Sequence, residues 1–225
     1  MFLSYSLYQL NGLSISLFDR KICQQHLQEC LQKCLTCYEE IDATEDGNYK
    51  IQNRIVIEAV YLLFNINDFN ALQHTLKLDS KLKSSFTLKT AINIAISFHQ
   101  KNFHKLLHDI QNLPHLVGAI GSLNLSSIRK EVFRIFSIAY NSQSLKVPLE
   151  FLQRLLIYDE MSSLIRHIYD LGIYKKEDGG NEITAVVFNR KNFDCSKTIS
   201  NTSQHFVDQK LCDFHLPDLI LMKTI

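Results

Sequence analysis

The 225-residue sequence has no tryptophan, three prolines and seven glycines, and its 24 basic against 23 acidic residues leave a formal net charge of +1. So little proline and glycine leaves few points at which a helix must stop, which favours long helices joined by short turns. A balanced charge provides no global attraction to nucleic acid, so any such binding must come from a local patch. No apolar run approaches the roughly 18 residues of a membrane-spanning helix, and none is expected to cross a bilayer. The opening "MFLSYSLYQLNGLSISLF" has no basic n-region, is interrupted by polar residues and shows no A-x-A cleavage pattern. It reads as part of a helix, not as a secretory signal.

What is present is an ordinary globular composition, 46% hydrophobic and 21% charged, long enough for one sizeable core or a core with a small appended domain. Of six cysteines, four crowd between Cys23 and Cys37. That is not the spread of a secreted disulfide framework, so a reducing compartment is expected, cytoplasm or nucleus. The sequons at Asn124 and Asn201 then carry no meaning.

The crowded cysteines pose the first chemical question. Placed on a helix at about 100° per residue, Cys23, Leu27, Cys30, Cys34, Cys37 and Ile41 share one narrow face, which Leu31, Leu35 and Tyr38 widen. Gln24, Gln28, Glu29, Gln32, Lys33, Thr36, Glu39 and Glu40 fall opposite. The expectation is a buried stripe in which cysteine acts as a small hydrophobe. Metal is disfavoured: Cys23 and Cys37 lie roughly 20 Å apart along such a helix, whereas zinc holds each thiolate at about 2.3 Å. His99, His104 and His108 are the densest histidines, but no glutamate stands between the last two in the H-E-x-x-H manner. "GSL" at Gly121–Leu123 lacks the G-x-S-x-G elbow, and Gly118 and Gly121 suit close helix packing better than a phosphate loop. No catalytic residue, metal, cofactor or small-molecule substrate is expected. The competing class is an enzyme using the cysteine and histidine clusters.

Further along, "RIVIEAVYLLFNI" is apolar on nearly every side and reads as an enclosed central helix. "NDFNALQHTLKL" opens on Asn67 or Asp68 as N-cap, and four more helical segments come after it at short intervals, the pattern of stacked antiparallel helix pairs. After Pro148 the texture changes. "PLEFLQRLLIY" starts with proline in a first-turn position, and "DEMSSLIRHIYDLGI" runs from Asp159 as N-cap to Gly172 as C-cap. "IYKKEDGGNEITAVVFNR" reads as a strand pair around Asp178–Asn181. Two short helices and a hairpin make a winged-helix module. Alternation along its second strand turns Ile183, Ala185 and Val187 inward and leaves Thr184, Val186 and Phe188 outward. Arg166 and His167 on the second helix, Lys175 and Lys176 entering the wing, and Arg190 and Lys191 leaving it are the nucleic-acid contact candidates, diluted by Glu177, Asp178 and Glu182. The last segment, "LPDLILMKTI", either docks on the body or frays.

Several of these stretches resemble one family in order along the chain. "HLQECLQKCLTCYEE" is similar to the "HL-x-x-CL-x-x-L-x-x-LY" helix of the Sac/GANP-domain family (suppressor of actin; germinal-centre-associated nuclear protein). "EAVYLLFNIND" resembles its "FRAYYLLL-x-L-x-D", "HQKNFHKLL" its "GNY-x-x-FF" turn, and "IRKEVFRIFSIAY" its "R-x-x-AL-x-x-L-x-x-AY" helix. "VPLEFLQRLLIYDEMSSLIRHIYDLGI" corresponds to the start of its winged helix, so the resemblance spans about Cys23 to Phe193. Val56 and Glu58 stand where the family has the acidic and basic residues of "EFRAY", and Lys101 where it has the glycine of "GNY".

The resemblance implies an all-α, PCI-like fold: a helical-repeat body over 1–145, a winged-helix module with a small β-hairpin over 146–193, and an extension over 194–225. It implies a non-catalytic adaptor that pairs with a second PCI-domain subunit and pools basic surface with it for RNA or other nucleic acid. Val186 and Phe188 would be the docking pair. The chain lacks the long flanking regions of the family's large scaffold. That ranks the role of its small centrosomal branch first, in centrosome duplication, spindle assembly and mitotic progression. Nuclear mRNA export, in the transcription-and-export complex at the nuclear pore, or service in another PCI-type complex, comes second. Cytoplasm (centrosome and spindle) or nucleus is the expected location.

Overall fold

The computed structural model describes residues 1–43, 51–173, 184–199, 204–213 and 215–221. By internal packing the chain divides into two compact units, Met1–Leu123 with His205–Ile225, and Asn124–Gln204.

The first unit opens with α1 (Phe2–Gln9), followed by α2 (Arg20–Ala43). Asp19 starts α2 by accepting from the N–H groups of Lys21 and Ile22 at 2.9 and 3.2 Å, filling donors a helix start leaves open. The buried stripe of α2 is Cys23, Leu27, Leu31 and Leu35, while Cys30 and Cys37 are exposed and Cys34 is half-buried. This corrects the expected cysteine wall. Two overlapping apolar stripes compete on one helix, and rotation toward the leucines removes more hydrocarbon from water than rotation toward the thiols.

Next comes α3 (Ile51–Phe64), whose residues from Arg54 to Val60, with Leu62 and Leu63, are all buried. It packs against α2, α4 (Phe69–Lys77), α6 (Phe86–His99) and α8 (His115–Ser122), the enclosed central helix its composition requires. Asp68, not Asn67, caps α4 by accepting from Asn70 N–H at 2.8 Å. A short α5 (Ser80–Lys83) leads to α6, capped by Ser85, and α7 (Phe103–Gln111) is capped by Asn102. Between α6 and α7, Lys101 holds φ +59°, a left-handed conformation that favours glycine. The α7–α8 turn is as tight as "GAIG" implies. A Cβ on Gly118 would stand 3.3 Å from the Leu113 carbonyl oxygen, and one on Gly121 would stand 3.0 Å from Leu113 Cδ1. α1 lies on α2 and α8. The far end of the chain, α12 (His205–Cys212) with α13 (Leu216–Ile220), belongs to this unit, and α12 packs on α8.

The second unit contains α9 (Leu125–Ala139), β1 (Lys146–Pro148), α10 (Leu149–Leu155), α11 (Met161–Asp170) and β2 (Ala185–Val187). The expected boundary at 145 is therefore moved: α9 groups with α10 and α11, and the expected 194–225 extension is shared between the units. Pro148 serves as N-cap of α10. The N-cap of α11 is Glu160 in place of Asp159, and its side chain takes a hydrogen bond from Ser162 Oγ, not from a helix N–H. Gly172 closes α11 as expected, at φ +70° just past Leu171, with its N–H on Tyr169 O and that of Ile173 on Ile168 O.

The expected turn, Asp178–Asn181, and the strand before it lie outside the described residues. The partner of β2 among the described residues is β1, antiparallel, with Val147 opposite Val186. Proline ends β1, where a missing N–H costs nothing to the ladder.

Candidate functional site

The basic candidates are all residues of the second unit, and the structure sorts them by exposure. Arg166 is exposed on α11, and Arg190 and Lys191 are exposed in the turn after β2. That turn is held against the end of α11. Asp194 N–H donates to Leu171 O at 2.9 Å, and a Cβ at Gly172 would meet the Asn192 carbonyl oxygen at 2.7 Å, so only glycine admits the approach. The chain thus brings Arg190 and Lys191 to the helix that carries Arg166. Lys175 and Lys176 lie outside the described residues.

His167 is not a surface residue. It is 0% exposed, and its Nδ1 lies 2.7 Å from Tyr158 Oη. The hydroxyl donates to Nδ1, which puts the ring proton on Nε2, and Nε2 finds no partner among the described residues. Burial, then the nearby Arg129 and Arg166, pull the His167 pKa down to about 4, and burial pushes the Tyr158 phenol up. One residue of helix, a rotation of about 100°, separates solvated Arg166 from core His167.

Tyr158 in turn lies under the guanidinium of Arg129, which stands 4.0 Å from the ring centroid. Arg129 is itself buried. Its Nε donates to Leu156 O at 2.8 Å, and its Nη2 donates to Ile157 O and, at 2.9 Å, to Gln204 Oε1. The two carbonyls belong to the C-terminal end of α10, where the backbone has unsatisfied acceptors and partial negative charge. Arg129 is the arginine of the "R-x-x-AL" motif, and its work is to tie α9 to the α10–α11 turn.

Val186 and Phe188 correct the expected docking edge. They are 0% and 1% exposed, while Ala185 and Val187 are half-exposed. Phe188 meets Phe136 edge-on at 5.5 Å and Phe133 at 6.5 Å between centroids. The alternation was legible but its sense was not: the side with Val186 and Phe188 buries more apolar area against α9.

A second constellation, in the first unit, escaped the sequence reading. Arg54 and Glu58, 3% and 1% exposed, stand one turn apart on α3. Arg54 Nη1 donates to Asp42 Oδ1 at 2.7 Å and Nε reaches Glu58 Oε1 at 3.5 Å, with the guanidinium 5.2 Å from the Tyr38 ring centroid. His74 Nε2 lies 3.1 Å from Glu58 Oε2, and its Nδ1 lies 3.8 Å from Glu39 Oε1. The hydrogen bond to Glu58 raises the His74 pKa, helped by the charges of Glu58 and Glu39 and opposed by burial and Arg54. Three helices meet at these charges, beside a cleft of about 580 Å³ lined also by Lys77, Asp79 and Lys81. The available signal was an Arg–Glu pair at i, i+4 inside an otherwise apolar helix.

Among the described residues no group of three or more histidine, cysteine or acidic side chains could hold a metal ion. His104 and His108 are exposed, and His99 is half-buried with its ring edge-on to Phe69 and Phe98. No helix among the described residues is long and apolar enough to cross a membrane.

Comparison with protein-family models matches residues 1–177 to the SAC3/GANP family. The match takes in Arg54, Glu58, Lys101 and Arg129, and with them both constellations of buried charge.

Proposed function

Because the chain belongs to the SAC3/GANP family, we propose that it is a non-catalytic adaptor that binds a second PCI-type subunit and presents a basic surface to nucleic acid. Family membership carries a scaffold-type role in mRNA export or a related process. The observation that carries the reading is the extent of the match, which runs through the helices of the first unit and across α9, α10 and α11 of the second. In this reading α10, α11 and the β1–β2 pair form the winged helix that closes a PCI-like body. Arg166, Arg190 and Lys191 form its contact with phosphate. Exposed Ile138, Tyr140, Leu145 and Phe151 take the partner-docking role that buried Val186 and Phe188 cannot fill.

The finer assignment follows the resemblance of the motifs to the family's small centrosomal branch, in centrosome duplication and spindle assembly. Nuclear mRNA export is the second reading, favoured by the family match itself. Affinity purification with mass spectrometry, joined to depletion, separates them. A PCI-type partner with abnormal centrosome number supports the first, and nuclear retention of polyadenylated RNA supports the second. Recovery of no PCI-type subunit would overturn the adaptor reading.

For the basic surface, Arg166→Glu, Arg190→Glu and Lys191→Glu together should weaken binding of single-stranded RNA about equally for all sequences and flatten its salt dependence. Unchanged RNA binding in that variant would assign the contact elsewhere.

A further inference from the structure

Helix α12 lies beyond the stretch matched to the family, yet it completes the first unit. Val207 is fully buried against Tyr8 of α1 and Ala119 of α8, with Leu123, Phe206 and Leu211 packed around them. Tyr8 Oη donates to Asp208 Oδ1 at 2.8 Å. Lys210 Nζ donates to Leu113 O at 2.7 Å and also to Gln111 O. Those two carbonyls end α7, so the lysine supplies a cation and donors where a helix terminus has partial negative charge and open acceptors. Each of these contacts is made by a side chain of α12, and any helix presenting the same side chains would make them.

The receptor is a groove between α1 and α8 with three demands on its occupant. It takes an apolar side chain into the space filled by Val207, an acceptor opposite the Tyr8 hydroxyl, and an ammonium group over the end of α7. Phe206, Val207, Asp208, Lys210 and Leu211 meet these demands within six consecutive residues. At eight residues α12 is too short to be a stable helix away from the groove. Binding therefore has to provide its ordering, which leaves a modest net hold. A longer helix, already formed, loses less entropy on entering the same groove.

We propose that α12 is a removable intramolecular plug, and that the α1–α8 groove receives an amphipathic helix of a partner protein. That helix carries two adjacent apolar residues, an acidic residue directly after them, and a lysine three positions after the second apolar one. This binding mode is helix-in-groove recognition, with α12 as the competing occupant in cis. It is independent of the basic surface of the second unit, and its test needs no cellular partner.

The probe is a fluorescent peptide of residues 204–213, titrated into the full chain and into a full-length Val207→Asp/Lys210→Glu variant whose own α12 cannot seat. The variant should bind the peptide at least about tenfold more tightly than the parent, because the plug no longer competes. A peptide carrying Lys210→Glu should lose that gain, as should a variant with Leu123→Asp added to the groove. Equal binding by parent and variant, or binding indifferent to the lysine, overturns the proposal. So does a variant that loses its cooperative thermal transition, since α12 would then be core and not plug. Hydrogen exchange on the unaltered chain checks the same point. The amides of α12 should exchange about a hundredfold faster than those of α3, and equal protection in the two helices refutes removability.

Discussion

Tyr158 Oη and His167 Nδ1 lie 2.7 Å apart inside the second unit, and the hydrogen bond between them requires a neutral imidazole. The folded chain holds the His167 pKa at about 4, against an ordinary histidine value of 6.5. The unfolded chain therefore binds a proton that the folded one refuses. Stability from this site is complete above about pH 6.5 and falls as the pH drops toward 4. Urea unfolding followed across that window should show the loss in the parent, and His167→Phe should flatten that part of the profile.

The Arg54–Glu58–His74 constellation has the opposite pH sense at its histidine. The His74 pKa is raised above 6.5 by its hydrogen bond to Glu58, so its contribution is present below that value and fades as the pH rises through the higher folded pKa. The two histidines thus pull in opposite directions on either side of neutrality. A scan of melting temperature against pH in His74→Gln should lose the decline on the alkaline side and keep the acidic one.

Glu58→Gln leaves the Arg54 guanidinium buried with only part of its compensation and should cost roughly 3 kcal/mol. Replacing both groups with apolar residues, Arg54→Met with Glu58→Leu, removes the charge along with its partner. The double variant should lose less than Glu58→Gln alone, a comparison urea denaturation midpoints can make. A larger loss in the double variant would mean the pair contributes attraction beyond its desolvation.

Lys101 occupies, at φ +59°, the position where the family motif has glycine. A left-handed conformation costs a non-glycine residue about 1–2 kcal/mol. The Lys101 ammonium recovers part of this at 5.4 Å from the Phe98 ring centroid and 5.9 Å from that of Phe103. Lys101→Gly should therefore be more stable than the parent by roughly 0.5 kcal/mol, and Lys101→Val, β-branched and without the cation, less stable. The order of thermal midpoints, Gly above Lys above Val, is the check.

The thiols should separate by reactivity. Cys30, Cys37, Cys195 and Cys212 are exposed, whereas Cys23 is buried with its pKa raised by burial. Titration of the native chain with a thiol-specific reagent should label the exposed four rapidly and Cys23 slowest, with full labelling on denaturation. Fast labelling of Cys23 would place α1 and α2 apart in solution.

The sequence by itself determined the helices and most of their ends, because those depend on neighbours within a turn. Asp68 caps α4, Gly172 closes α11, and the apolar run from Ile55 to Leu63 is enclosed. The same local information carried the family resemblance. Tertiary structure alone decided which way each amphipathic element faces. On α2, cysteine and leucine stripes overlap and only packing chose the leucines; on β2, a period of two is identical read from either side, and α9 chose Val186 and Phe188. It also decided partners distant in sequence: β1 for β2, Leu156 and Ile157 for Arg129, and α8 for α12. Periodicity specifies which residues share a face, while the area each face can remove from water is set by the elements that the folded chain packs against it.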